Sequence, residues 1–231
     1  MSQAKKKYEA DKNRRHSRIS IVAGSVAVLL IAIVAVLVII LGGQTESSSS
    51  RDDDRMAALA SEHSPTLGDP AAKVHIVEFL DPACETCALF FPMVKQWMTE
   101  APDELRLSVR HVAFHSGSDY AVRILEASRE QDKYWQTLEA LLSSQRQWVT
   151  NHQVQPDQVL TAIADVGLNV DQLMADMNGV EVLAHIEQDK KDSIMLRVSA
   201  TPEYFVNGRP LPSFGQQQLL NLVREELQKA Y

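Results

Sequence analysis

Cysteine is nearly missing from this chain of 231 residues: there are two, Cys84 and Cys87. A tetrahedral zinc site built on them would be two ligands short. Charge is missing altogether from residues 19–43. Basic excess is missing beyond residue 43, where 16 Lys/Arg face 28 Asp/Glu. Such an acidic surface argues against nucleic acid as the main partner, because phosphates attract basic faces. Internal repeats are missing too, and no A-x-A-like cleavage site follows the long apolar run, which ends in "LGGQTE".

The apolar run itself is "ISIVAGSVAVLLIAIVAVLVIIL", Ile19 to Leu41. As a helix it would reach about 35 Å, enough for one pass through a hydrocarbon core of roughly 30 Å. Residues 1–18 carry seven Lys/Arg against two Asp/Glu. The positive-inside rule then predicts a cytoplasmic tail over 1–18, an uncleaved anchor over 19–41 and an exported remainder. An exported dithiol can be oxidised, so the compartment permits disulfide chemistry.

Residues 42–63 begin "GGQTESSSSRDDDR" and read as a flexible tether. A folded domain is expected over 64–231. "KVHIVEFL" has the content of a buried strand, and "CETCALFFPMVKQWMTE" follows as a helix. Leu89, Phe90, Met93, Val94 and Trp97 recur there at helical spacing, with a kink expected at Pro92. "LRLSVRHVAF" returns to a strand, so the order implies a parallel pair joined by a crossover helix. Residues 117–195 read as successive helices, including a stripe of Leu173, Met174 and Met177 that Leu183 and Ile186 carry on. Their methionines, like Trp97, Trp135 and Trp148, are expected to fill the core. "EYFVNGRPLP" predicts a type I′ hairpin turning at Asn207-Gly208, with Pro210 on a sheet edge. "GQQQLLNLVREELQKA" closes the chain as an amphipathic helix.

A helix beginning at Cys84 points its unpaired N–H groups at that sulfur and favours the thiolate. Cys87 stands one turn later on the same side. Such a pair can close into a disulfide and reopen by exchange with another protein's thiols. A structural disulfide across so short a loop would gain little chain entropy. A metal site is the other reading of the dithiol, with His75, His111 and His115 as further ligands.

Three features together resemble the DsbA-like branch of the thioredoxin superfamily: "VEFLDPACETC", "SATPEYFVNG" and a helical insertion between the two halves. The resemblance covers roughly residues 64–231. It implies an α/β thioredoxin fold with a DsbA-like insertion, here preceded by one transmembrane helix, and the activity of an extracytoplasmic protein disulfide oxidoreductase. It makes Cys84 the exposed nucleophile, Cys87 its buried partner, and Thr201-Pro202 a cis peptide packed against the disulfide. The backbone of Thr201 would pair with an extended substrate, and Glu78 would be a buried acid exchanging a proton with Cys87. No organic cofactor and no metal is implied, because the dithiol carries the two electrons. The implied partners are exported proteins with cysteines and a membrane oxidase or reductase, and the implied place is the outer face of the cytoplasmic membrane.

The chain departs from the branch between its cysteines. DsbA-like oxidants often carry Pro-His there, whereas this chain has Glu85 and Thr86, with Asp81 nearby. Negative charge beside Cys84 works against the thiolate, so a less oxidising disulfide is expected than in a strong oxidant. Thr201 stands where the archetypal oxidant has Val, which leaves the direction of electron flow open. A reductase or isomerase of the same fold and a metal-delivery protein are the alternatives. No separate dimerisation domain, of the kind isomerases use, is visible.

Overall fold

The computed structural model of the protein describes residues 53–59 and 61–231, together with the single residue Val36. The expected tail (1–18), the expected anchor (19–41, apart from Val36) and the first part of the expected tether lie outside the described residues. Among the described residues no helix is long and apolar enough to cross a membrane.

The later part of the expected tether is packed instead. Residues 53–59 form helix α1, and Ala58 and Leu59 are buried against Val77, Phe79 and Phe205. Burial of the Ala58 and Leu59 side chains drives this docking, which the preceding polar run masks in a composition reading.

Strands β1 (Thr66–Gly68), β2 (Val74–Leu80) and β3 (Leu105–His111) form three strands of a five-stranded sheet. β6 (Glu203–Val206) and β7 (Arg209–Pro210) complete it in the order β1-β3-β2-β6-β7. β2 and β3 are parallel and joined through helix α2 (Glu85–Glu100), while the other neighbours are antiparallel. The β6–β7 turn has Asn207 at φ 48° and Gly208 at φ 78°, as a type I′ hairpin requires. Pro210 sits on the edge strand, where its missing N–H leaves no ladder bond unmade.

The region after β3 is helical: α3 (Ser118–Ser128), α4 (Tyr134–Ser143), α5 (Gln145–Trp148), α6 (Pro156–Ala162), α7 (Val170–Asp176) and α8 (Val180–Leu196). A small hairpin, β4 (Val149–Thr150) with β5 (Gln153–Val154), interrupts it. Helix α9 (Gln216–Ala230) ends the chain. One sheet face presents Val74, Ile76, Leu107 and Val109 to a core that α2, α3, α4 and α9 complete. Trp148 fills that core and donates its indole N–H to the Leu141 carbonyl at 2.9 Å.

Three residues assigned to buried stripes face outward. Leu89, Met174 and Leu183 are 65%, 39% and 41% exposed. In α2 the buried row runs through Cys87, Phe90, Phe91, Val94 and Met98, which sets Leu89 a step off the inward face. α2 runs unbroken through Pro92.

Candidate active site

β2 ends at Leu80, and a short loop delivers Cys84 to the N-cap of α2. Asp81 builds that loop. Its carbonyl accepts from Cys84 N at 3.0 Å, and its buried carboxylate accepts from the backbone of Ala83, Phe114 and His115. The same carboxylate holds His115 Nδ1 at 2.8 Å and the Ser118 hydroxyl. Asp81 is therefore spent on fastening two loops together. From the insertion, Gln145 Nε2 donates to the carbonyls of Pro82 and Cys84 at 2.8 and 3.0 Å.

Both cysteines are free thiols. Cys84 is 6% exposed and Cys87 fully buried, so the nucleophile expected in the open has only a narrow window. The cover is the loop before β6: the Thr201–Pro202 peptide is cis, and Cys84 Sγ donates to the Thr201 carbonyl at 3.2 Å. Donation from the Cys87 thiol lowers the Cys84 pKa to about 5, against the cost of burial and with help from Thr201 and the N–H groups of Cys87 and Thr86. Cys87 is pushed well above its ordinary value, first by burial and then by its bond to Cys84 and the neighbouring charge of Glu78. One sulfur is poised as a thiolate and the other as a thiol.

Glu78 lies on the β2 face turned toward α2 and is fully buried. Burial raises its pKa to about 8. Tyr204, its partner across β2 and β6, opposes that shift, yet neither carboxylate oxygen nor the tyrosine hydroxyl has a partner at hydrogen-bonding geometry. A protonated, unpaired carboxyl below a buried thiol can give or take a proton. Cys84, Cys87, Glu78, Thr201 and Pro202 thus lie in one place.

Of the three histidines proposed as extra ligands for the dithiol, His115 lies beside it, held by Asp81, but His75 and His111 do not gather there. His75 points to the other sheet face and bonds the Ser108 hydroxyl at 2.8 Å. His111 is buried against the Tyr134 hydroxyl at 2.9 Å and Glu126. Strand alternation and insertion contacts hold both away from the thiols. Tyr204, Gln145 and the structural use of Asp81 went unread in the sequence. Only the spacing of "VEFLDPAC" could have pointed to Asp81, and nothing local marks the other two.

Beside the dithiol runs a groove of about 230 Å³, lined by Thr86, Thr201, Pro202, Tyr204, Leu211 and Phe214 among others. The Phe214 ring stacks on Phe90 at 4.9 Å and remains 56% exposed.

A cysteine at a helix start, its buried partner one turn on and a carbonyl laid over the sulfur make a dithiol that can close, open and exchange with other thiols. The thioredoxin family model matches residues 60–224, and the chain belongs to that family. A thioredoxin-like oxidoreductase from Silicibacter pomeroyi DSS-3 has 30% identity and a TM-score of 0.65, covering 76% of this chain and 98% of its own. BdbD from Bacillus subtilis (23%, TM-score 0.63, covering 72% and 94%) and alpha-DsbA1 from Wolbachia pipientis (20%, TM-score 0.66, covering 76% and 96%) share the fold, helical insertion included. Among curated relatives, the disulfide bond formation protein D of Bacillus subtilis (strain 168) is 25% identical over 175 residues, 71% of this chain and 77% of its own. The Na(+)/H(+) antiporter NhaA of Herminiimonas arsenicoxydans is 28% identical over 144 residues, 62% of this chain, but the match spans only 22% of the antiporter.

Proposed function

We propose that the chain catalyses disulfide exchange with cysteines of exported proteins, on the outer face of a membrane to which residues 19–41 anchor it. In the oxidising direction a substrate thiolate attacks Cys84 Sγ of the closed disulfide. The Cys84–Cys87 bond breaks, and Cys87 leaves as a thiolate that takes a proton from Glu78. A second substrate thiolate then attacks the mixed disulfide and expels Cys84. Two electrons now rest on the dithiol and the substrate holds a disulfide. A membrane oxidase would reclose the pair.

The observation that carries this reading is the placement of the two sulfurs, Cys84 at the N-cap of α2 with Sγ 3.2 Å from the Thr201 carbonyl and Cys87 buried one turn on. That setting lowers the Cys84 pKa to about 5 and pushes Cys87 up. A stabilised Cys84 thiolate favours the reduced enzyme, hence acceptance of electrons from substrate. The groove beside Thr201 would take the substrate as an extended segment paired to that backbone.

The test is insulin reduction run beside refolding of a scrambled disulfide substrate, with Cys87→Ala used in cells to trap mixed disulfides on Cys84. A variant that traps nothing, with a wild type inert in both assays, refutes the enzyme. After membrane-impermeant reduction of the disulfide, labelling of Cys84 by a membrane-impermeant thiol reagent on intact cells tests the compartment, and failure to label there overturns the exported placement.

A further inference from the structure

The dipeptide between the cysteines is acidic where a histidine would have helped the thiolate, and the reading above leaves Glu85 without a task. The fold brings two histidines to it from elsewhere. His152 Nδ1 lies 3.2 Å from Glu85 Oε1, and the His152 ring stacks on His115 with centroids 6.3 Å apart. Glu85, His115 and His152 each offer a ligand atom within 4.8 Å of the others, and they are the one such trio among the described residues.

The elements behind these side chains are fastened to one another. His152 stands at the tip of the β4–β5 hairpin, where Asn151 and His152 hold the left-handed region at φ 51° and 59°. Val154 N donates to the Ser116 carbonyl at 2.9 Å, locking that hairpin beside the loop of His115. Asp81, wholly buried, engages His115 Nδ1 at 2.8 Å, which makes that nitrogen the protonated one and leaves Nε2 as the free lone pair. A carboxylate behind a histidine in this way orients the ring and raises its basicity as a metal ligand.

We infer that Glu85, His115 and His152 form a binding site for a divalent transition-metal ion of the zinc class at the mouth of the dithiol. Two imidazole nitrogens and one carboxylate oxygen, with a fourth position open to solvent, suit that ion better than calcium or magnesium, which prefer all-oxygen shells. The site is separate from the dithiol and does not use it as ligand. An ion there would tie the residue after Cys84 to the insertion and replace the Glu85–His152 ion pair.

The test uses the full-length chain in metal-free detergent buffer with its disulfide closed, so that no thiol can bind. Zn²⁺ binding is followed by calorimetry and Co²⁺ binding by its visible absorption. The expected result is one ion per chain, retained by a Cys84→Ser/Cys87→Ser variant. Affinity should fall about tenfold or more in both His152→Asn and Glu85→Gln. Asparagine tolerates the left-handed backbone at 152, and both positions are exposed, so folding is not at stake. Absence of binding to the oxidised chain, loss of binding with the thiols, or equal affinity in His152→Asn would each overturn the site and reduce the trio to a surface ion pair.

Discussion

Glu78 and Tyr204 are paired across β2 and β6 in the interior, and neither the carboxyl nor the hydroxyl meets a hydrogen-bond partner. An unpaired buried carboxyl is costly whenever it is ionised. Glu78 has its pKa raised from 4.5 to about 8. Between those values the folded chain holds a proton that the unfolded chain has lost. Stability therefore falls as pH rises through that window, by a few kcal/mol in all. In the oxidised protein, where no cysteine titrates, Glu78→Gln should flatten the slope and stabilise the fold at pH 8. The same change should slow reoxidation or resolution of mixed disulfides by about 10-fold or more, since a proton relay contributes that order. Urea denaturation against pH and stopped-flow exchange rates check the two halves, and an unchanged slope would place the carboxyl in water.

Cys84 has the opposite sign. Its pKa lies below the ordinary 9.0, at about 5. In the reduced protein its thiolate adds stability as pH climbs from 5 toward 9, partly offsetting the Glu78 slope. Titration of ultraviolet thiolate absorbance should show one sulfur ionising near pH 5, with Cys87 silent through neutrality. A midpoint near about 3.5, the level of the most acidic such cysteines, would instead make this a strong oxidant. A midpoint above 8 would remove the activated nucleophile.

Much of this frame could be read from local patterns. The strand leading into Cys84, the Asn207-Gly208 turn and the amphipathic α9 are each encoded within a dozen consecutive residues, where periodicity and turn chemistry operate. The nearness of Thr201 to Cys84 came from resemblance alone, since 117 positions separate the two. β1, three residues long, exists only because β3 pairs with it, and the β4–β5 hairpin turns on two non-glycine residues with positive φ. Gln145 and His152 act through tertiary placement and left no local signal. Exposed Leu89 shows the same limit from the other side: spacing marks a helix, but the neighbours decide which face is covered.

The second face of the sheet carries an ionic layer that composition could not reveal. Arg110 is fully buried, with Nε 2.6 Å from Asp189 and its guanidinium also bound to Asp192 and the Ala58 carbonyl. Asp189 further accepts from His63 and from the His111 backbone. Removing the cation leaves two carboxylates in the interior, so Arg110→Met should cost about 3–5 kcal/mol. Adding Asp189→Asn and Asp192→Asn should recover a large part of that loss. Denaturant midpoints of the single and triple variants decide it, and an Arg110→Met protein as stable as wild type would mean that water reaches the layer.

Phe214 bears on substrate choice more than on stability. Its ring rests on Phe90 but keeps more than half its surface in solvent, at the rim of the groove that Thr201 and Pro202 line. Truncation to Ala removes little buried area, so the fold should lose about 1 kcal/mol or less. A peptide laid along Thr201 would lose an apolar wall, whereas glutathione, which has no apolar side chain to set against the ring, would not. Phe214→Ala should therefore raise KM for a cysteine-containing peptide several-fold while leaving the rate with glutathione within about twofold of wild type. Equal losses for both substrates would mean that Phe214 acts through α2 and the cysteine pair, and no loss with the peptide would move the docking surface elsewhere. The comparison isolates recognition from chemistry because both substrates meet the same sulfur.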